Sequence, residues 1–157
     1  MMGIKTRILQ IIPISVYENK VYTQNVIVEI ESGQRLVLFD SSKRCKDNFL
    51  GTVKTVDIII QVARSIEVID RHVLSITQEV DENASQGNSN TSIYCLIENI
   101  EVPAVKKTVW DFSYAIVNVG IGNMLFYLSD KEAYIYKKGD YLHIINGRLD
   151  LWKIYPE

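Results

Sequence analysis

The chain has little cysteine, and it has no apolar run long enough to cross a membrane. Cys45 and Cys95 are the only cysteines among its 157 residues. Neither has a closely spaced partner, which argues against a disulfide framework or a zinc site and favours two buried free thiols. The run from Ile8 to Val16 is too short and too interrupted for a membrane span, and no small-residue cleavage site follows it. We therefore expect no metal, no membrane attachment and a cytoplasmic location.

Signatures of catalysis are also missing from the sequence. It contains no Gly-x-Ser-x-Gly elbow, no HExxH pair and no glycine-rich phosphate loop that opens a helix. The dipeptide Asn146-Gly147 lies between apolar runs and predicts a two-residue hairpin, which would place His143 opposite Asp150. Such a pair can tune a proton acceptor, but an ordinary exposed cross-strand pair is the simpler interpretation. We expect a protein that is not an enzyme and that uses no cofactor.

A strong positive charge is absent as well. The net charge is −2 and the isoelectric point is about 5.7. Neither the first 70 residues nor the stretch from residue 93 onward has more than a small excess of one sign. This balance argues against binding of duplex nucleic acid, although it leaves a short single strand possible.

What the sequence does contain is β-branched residues and an internal similarity. There are 22 Ile and 16 Val against 11 Leu and 5 Ala, a composition that favours strands over helices. Residues 27–39 align with residues 116–128, so that apolar positions match and Gly33 falls on Gly122. The pattern predicts a duplicated β-unit.

A polar segment separates the two copies. Residues 78–92 contain Val80 as their only sizeable apolar side chain, so they cannot bury enough surface to offset the entropy of ordering. The segment is either a flexible linker or a hairpin loop, and the repeat favours the linker. The predicted organisation is a first unit at 1–72, a polar linker or loop at 73–92 and a second unit at 93–157, with the units packed against each other.

Within each unit the pattern predicts a first strand, near 7–16 and 93–102, followed by a hairpin. Two-residue turns at Gly33-Gln34 and Gly122-Asn123 would place the apolar residues of each hairpin on one face. Any helix must be short, near 42–50 or 130–137. The predicted cross-strand pairs are Ile30 with Val37, Val28 with Phe39, Val119 with Phe126, and Val117 with Leu128.

About five strands per unit, with a hairpin at the second and third, resemble an OB-fold (oligonucleotide/oligosaccharide-binding) barrel. The stretch from Lys137 to Leu142, which leads to Asn146-Gly147, looks like the last part of such a fold. An SH3-like barrel would produce much the same pattern. The expected fold is all-β, with two tandem small antiparallel barrels, OB-like or SH3-like, that arose by internal duplication.

The resemblance implies a ligand-binding surface on the second unit, because OB-folds stack bases on aromatic side chains beside basic residues. The alternative is that these aromatic side chains pack the barrel or the interface between the units. The candidate residues lie on the non-core face of the second hairpin, in the preceding loop and at the last strand: Lys106, Lys107, Trp110, Tyr114, Asn118, Tyr127 and Arg148.

The first unit presents a different predicted surface. In the register above, its hairpin has an outer face of apolar residues with acidic edges, formed by Ile27, Glu29, Glu31, Leu36, Leu38 and Asp40. An exposed apolar face of this kind generally contacts a protein partner. The leading hypothesis is a non-enzymatic binding or adaptor protein that acts through contact with a protein partner or through self-association. The alternative is a binder of single-stranded nucleic acid or oligosaccharide that uses the second unit.

Overall fold

The structure is almost entirely β, as the β-branched composition predicts. The computed structural model describes residues 3–61, 63–79, 91–109 and 111–156. One 3-10 turn (Asp47–Phe49) and one helix, α1 (Asp130–Ile135), interrupt the strands at the two places where short helices are predicted. The strands are β1 (Ile4–Tyr17), β2 (Lys20–Ile30), β3 (Arg35–Asp40), β4 (Val53–Gln61), β5 (Ser65–Ile69), β6 (Ser75–Gln78), β7 (Thr91–Glu101), β8 (Ser113–Asn118), β9 (Asn123–Leu128), β10 (Tyr141–Ile145) and β11 (Arg148–Ile154). None of the helices in these ranges is long and apolar enough to span a membrane.

Five strands form a closed barrel. β1, β2 and β3 pair in antiparallel order, and β11 lies next to β3 in parallel orientation, with Asp150 opposite Phe39. β11 then pairs antiparallel with β4, and β4 returns to β1, where Val56 lies opposite Ile4. The last strand of the chain therefore closes a barrel that the first strands begin. Its interior is filled by fully buried aliphatic side chains, among them Val26, Val28, Leu36, Leu38, Ile58, Ile60, Leu149 and Leu151.

The remaining strands, β5 to β10, extend the same sheet and form what we call the extended strand set. β7, β8 and β9 form an antiparallel meander, β10 pairs with β7, and β5 pairs with β10. β9 joins this set to the barrel because it runs parallel to the end of β4, with Leu125 opposite Ile59. The main hydrophobic core includes residues of both halves of the chain, such as Ile8 and Phe126.

The polar segment lies between two neighbouring strands. Gln78 at the end of β6 is paired with Thr91 at the start of β7, and the two strands are antiparallel. This pairing fits a hairpin connection better than a linker between separate units. Residues 80–90, which make up most of the predicted linker, lie outside the described residues. The domain boundaries and the duplication stay predictions.

The predicted hairpin at Asn146-Gly147 is wrong. β10 pairs with β7 and β5, whereas β11 pairs with β3 and β4, so the chain passes from one strand set to the other at residues 146–147. Asn146 does adopt the left-handed conformation that the motif favours (φ 55°). His143 lies opposite Tyr94 and Glu67, and Asp150 lies opposite Ile59, so His143 and Asp150 are not paired.

The register of the second predicted hairpin is shifted, but its core face is confirmed. Val119 N donates to Gly122 O (3.0 Å), and four residues rather than two lie between the strands. Val117 is therefore opposite Met124 instead of Leu128. The predicted core residues are still buried, because each strand keeps its alternation.

In the first hairpin the predicted core face of β3 is wrong, whereas Val28 and Ile30 of β2 lie in the core as predicted. Val28 lies opposite Leu36 and Ile27 opposite Val37, a shift by an odd number of positions from the prediction. Such a shift exchanges the two faces of a strand. Leu36 and Leu38 consequently fill the barrel with no exposed surface, and the predicted apolar outer face does not exist.

Candidate binding surface

Four aromatic side chains form what we call the aromatic face: Phe112, which precedes β8, Tyr114 on β8, Tyr127 on β9 and Trp152 on β11. Tyr114 on β8 lies directly opposite Tyr127 on β9. The Phe112 ring centroid is 5.4 Å from that of Tyr127 and 5.6 Å from that of Trp152 on β11. β9 and β11 flank β4, so Phe112 bridges the extended strand set and the barrel. Tyr127 keeps 43% of its surface exposed, which leaves part of this face open to a ligand.

The structure therefore brings Tyr114 and Tyr127 together, as predicted, and adds Phe112 and Trp152. Sequence reasoning missed Phe112, which precedes β8, and Trp152, which lies on β11. Trp110, the aromatic candidate in the loop before β8, lies outside the described residues. The shared sheet face of β8 and β9 was predictable from strand alternation, whereas the contact with β11 was not.

Of the two predicted lysines, Lys106 has a side-chain partner, whereas Lys107 contributes its backbone N–H to a contact. Lys106 forms an ion pair with Asp130 at the start of α1. The backbone N–H groups of Lys107 and Thr108 both donate to the Asp111 carboxylate at 3.0 Å. These hydrogen bonds lower the pKa of Asp111, since they favour its charged form. The loop is thus ordered by the Asp111 carboxylate, and Lys106 is paired, while the Lys107 side chain is exposed.

Asn118 and Arg148 are also held by neighbours. Asn118 Oδ1 accepts from Gly120 N (2.9 Å), which supports the turn after β8. Arg148 donates to both carboxylate oxygens of Asp150, at 2.7 and 2.8 Å, and its guanidinium carbon lies 4.9 Å from the Phe39 ring centroid. Burial raises the pKa of Asp150, and the Arg148 contact opposes that shift. Arg148 is therefore directed toward β3 instead of toward Tyr114.

A groove beside the aromatic face contains cations that are absent from the candidate residues of the sequence. The groove, which we call the cationic groove, has a volume of about 340 Å³ and is lined by Arg44, Lys46, Phe49, Lys153, Ile154 and Pro156. The Arg44 guanidinium carbon lies 5.8 Å from the Trp152 ring centroid, which links the groove to the aromatic face. Within the described residues, Arg44, Lys46 and Lys153 make no ion pair with a carboxylate.

A buried carboxylate holds the loop that carries Arg44 and Lys46. Asp40 accepts hydrogen bonds from Arg44 N (2.9 Å), Cys45 N (2.8 Å) and Gln24 Nε2 (2.9 Å), and it has no exposed surface. Gln24 Nε2 also donates to Cys45 O at 2.8 Å. The loop is thereby fixed against the end of the barrel, so the groove cations project from an ordered backbone.

The thiols are poor nucleophiles. Burial raises the pKa of Cys45 to about 11, with further contributions from Asp40 and Asp47, and burial raises the pKa of Cys95 to about 12. The reactive thiolate is therefore scarce at neutral pH. No group of three or more His, Cys, Asp or Glu side chains suited to a metal ion is found in the described part of the chain.

No family model matches this chain, and searches of curated proteins and of solved structures found no significant relative.

Proposed function

We propose that the chain is a non-enzymatic binding protein with an OB-like barrel. The barrel strands lie in the order β1-β2-β3-β11-β4, so the fifth barrel strand in the sequence, β11, lies between the third and the fourth. A short 3-10 turn precedes the fourth strand, β4. The OB-fold is a five-stranded Greek-key barrel, so this order supports an OB-like barrel over an SH3-like one. The extended strand set repeats part of this order: β7, β8 and β9 are followed by the short helix α1 and by β10, which pairs with β7. This parallel supports the proposed duplication.

The ligand class that fits best is a short single-stranded nucleic acid, held across the aromatic face and the cationic groove. The observation that carries the proposal is the contact between Arg44 and Trp152, because it joins aromatic rings to cations that have no carboxylate partner among the described residues. Stacking contributes about 1–3 kcal/mol per base in proteins that bind single strands. Arg44, Lys46 and Lys153 would meet the phosphates. An oligosaccharide would use the same rings without the cations.

Fluorescence anisotropy with a labelled oligonucleotide at two salt concentrations tests this proposal. For single strands, each phosphate contact contributes about −0.7 to the slope of the logarithm of the association constant against the logarithm of the salt concentration. Three contacts therefore predict that the affinity falls roughly 20-fold when the salt concentration rises about fourfold. Tyr127→Ala and Lys153→Gln should each weaken binding. Tyr134→Ala and Lys138→Gln are matched controls, because both side chains are exposed on other elements.

The possible results separate the ligand classes. A salt-independent interaction with an oligosaccharide probe, sensitive to Tyr127→Ala but not to Lys153→Gln, would replace nucleic acid as the ligand. A flat titration with both probes would refute a ligand role for this surface. Equal losses in the control variants would show that binding is nonspecific.

A second candidate function is contact with a protein, including another copy of this chain. The apolar face first predicted for it is buried, but another apolar surface projects from the barrel. The outer parts of β1 and β2 form a two-stranded ribbon on which Val16, Tyr17 and Tyr22 are 57%, 66% and 47% exposed. Exposed apolar groups that cluster in this way favour a protein contact.

Light scattering tests this candidate directly. Self-association through the ribbon predicts an oligomer that Tyr17→Ser shifts toward monomer, while Tyr134→Ser on α1 leaves it unchanged. This candidate function would be refuted if the chain is a monomer at all concentrations and also retains no protein in a pull-down from its native cell.

A further inference from the structure

Both histidines of the chain lie on one face of the extended strand set. The chain contains two, His72 and His143. His143 stacks on Tyr94, with ring centroids 4.1 Å apart and planes 6° from parallel. His72 stacks on Tyr141 at 4.2 Å and 10°. Tyr141 and His143 are two residues apart on β10, so the two stacked pairs share a sheet face.

Further polar groups surround these rings. Ser92 Oγ on β7 lies 2.9 Å from His143 Nε2. The Arg71 guanidinium carbon lies 5.9 Å from the Tyr94 ring centroid. Glu67 on β5 is opposite His143 on the side away from Tyr94, and it is the acidic residue in register with this cluster. We call Arg71, His72, Ser92, Tyr94, Tyr141 and His143 the histidine face.

The histidine face is separate from the proposed nucleic-acid surface. Its residues stand on β7 and β10 and on the segment after β5, whereas the aromatic face stands on β8, β9 and β11. Arg71 and His72 are exposed, and the other members are half-buried, so the donors are accessible to solvent. A core packing role would instead bury these rings fully.

Apart from the Glu67 carboxylate opposite His143, the polar groups of this face can act as hydrogen-bond donors. A guanidinium carries five N–H donors and no acceptor, a serine hydroxyl donates one, and an imidazole donates at least one. Guanidinium groups match the geometry of phosphate oxygens and bind them through paired hydrogen bonds. We propose that the histidine face binds a phosphate group, with Arg71, Ser92 and an imidazole as donors and the tyrosine rings as walls.

Two other roles fit this cluster less well. The contact between Ser92 and His143 has the spacing of a nucleophile and its base, but both residues stand on strands that are paired on both sides, so the neighbouring backbone N–H groups are used in the sheet and not by an oxyanion. A metal site would need three or four convergent ligands, and the described residues contain no such group. Phosphate binding needs only the donors that are present.

Nuclear magnetic resonance of the imidazole groups is a direct test, because every histidine signal of this chain comes from the histidine face. At pH 7 and constant ionic strength, inorganic phosphate should shift both imidazole signals saturably, whereas an equal addition of chloride should not. Adenosine 5′-monophosphate and adenosine identify the source of the phosphate. If the nucleotide binds more tightly than inorganic phosphate and adenosine does not bind, the ligand is a nucleotide. If the nucleotide and inorganic phosphate bind with equal affinity, the ligand is the free anion.

Two arginine variants supply the matched comparison. Arg71→Gln should weaken phosphate binding at least tenfold. Arg64→Gln removes the same charge at the other end of β5, roughly 20 Å away along the strand, and should leave binding unchanged. Both arginines are exposed, so neither change should unfold the chain.

The proposal fails if phosphate causes no saturable shift up to about 20 mM, well above a millimolar dissociation constant. It also fails if chloride reproduces the shift or if Arg71→Gln binds phosphate as the wild type does. His72→Gln provides a second variant, read from the remaining His143 signal, in case Arg71→Gln proves unstable. None of these readouts depends on nucleic-acid binding at the aromatic face.

Discussion

Splitting the chain between residues 85 and 86 should yield two fragments that remain together. The cut lies in the segment that joins β6 to β7, where no backbone pairing of the described strands is broken. The fragment 86–157 carries β11, which occupies the place between β3 and β4 in the barrel of the fragment 1–85. Separation would therefore open the barrel.

The strength of the association follows from the side chains that separation would expose. Leu149 and Leu151 on β11 are 1% and 3% exposed, and they lie opposite Ile60 and Ile58 on β4. Burial of a leucine or isoleucine contributes about 1.5–3 kcal/mol. Four such side chains, two of which stay partly covered in their own fragment, contribute about 8 kcal/mol, which corresponds to a dissociation constant of about 1 µM. The backbone pairs of β11 with β4 and of β5 with β10 offset the entropy of association.

Co-expression of a tagged 1–85 fragment with an untagged 86–157 fragment measures this association. The two should co-purify and elute together with the mass of the intact chain, 18.0 kDa. Leu149→Ala should cost about 2–5 kcal/mol and release most of the untagged fragment at micromolar concentration. Lys153→Ala on the same strand is exposed and should change nothing.

Two fragments that fold independently and elute separately would refute this reasoning. That result would support the alternative in which residues 1–72 and 93–157 are autonomous domains. Hydrogen exchange on the purified complex gives a second check, because the amides of β4 and β11 should be protected together.

Three further results are expected. Asp40→Ala should lower the free energy of unfolding by about 3–5 kcal/mol, because it leaves buried donors of Gln24 and Cys45 unpaired. Asp40→Asn should cost about half as much, and equal losses for the two variants in urea denaturation would contradict this prediction. Cys45 and Cys95, with pKa values of about 11 and about 12, should not react with a thiol reagent at pH 8 until the chain is unfolded, and rapid labelling of either in the native protein would oppose that account. Burial raises the pKa of Asp150 above its ordinary 3.8, so the native state holds this proton more tightly than the unfolded chain does. The free energy of unfolding should therefore fall as the pH rises from below about 3.8 through the native pKa. Asp150→Asn should remove that part of the pH dependence, and an unchanged difference in stability between the two proteins from pH 3 to pH 6 would count against it.

The parts of the fold that the sequence predicts are those set by alternation within one strand. In β8 and β9 one face is apolar and the other is mixed, so the buried set is unambiguous even though the turn is two residues longer than expected. In β2 and β3 both faces are buried around the hairpin, with Ile27 at 1% and Val37 at 3% exposure. A strand that is apolar on both faces contains no signal for its register, and that is why Leu36 and Leu38 were placed outside.

The separation of β10 from β11 had no local signal. Asn146-Gly147 is a strong hairpin motif, and its backbone does turn in the expected way. The partners of each strand, however, are chosen by which apolar surface is left uncovered. β11 fills the gap between β3 and β4, while β5 takes the position beside β10 that a hairpin would have used. Choices of this kind depend on residues about 70 to 110 positions away.

The same rearrangement explains why half of the candidate surface was missed. Arg44 and Trp152 are 108 positions apart, and they meet only because β11 enters the barrel of the first half. The cationic groove likewise takes Arg44, Lys46 and Phe49 from the first half and Lys153 and Ile154 from the second. Neither half could form this groove alone. If the proposed ligand site is correct, the complex of fragments 1–85 and 86–157 should bind the oligonucleotide as the intact chain does, whereas either fragment by itself should not.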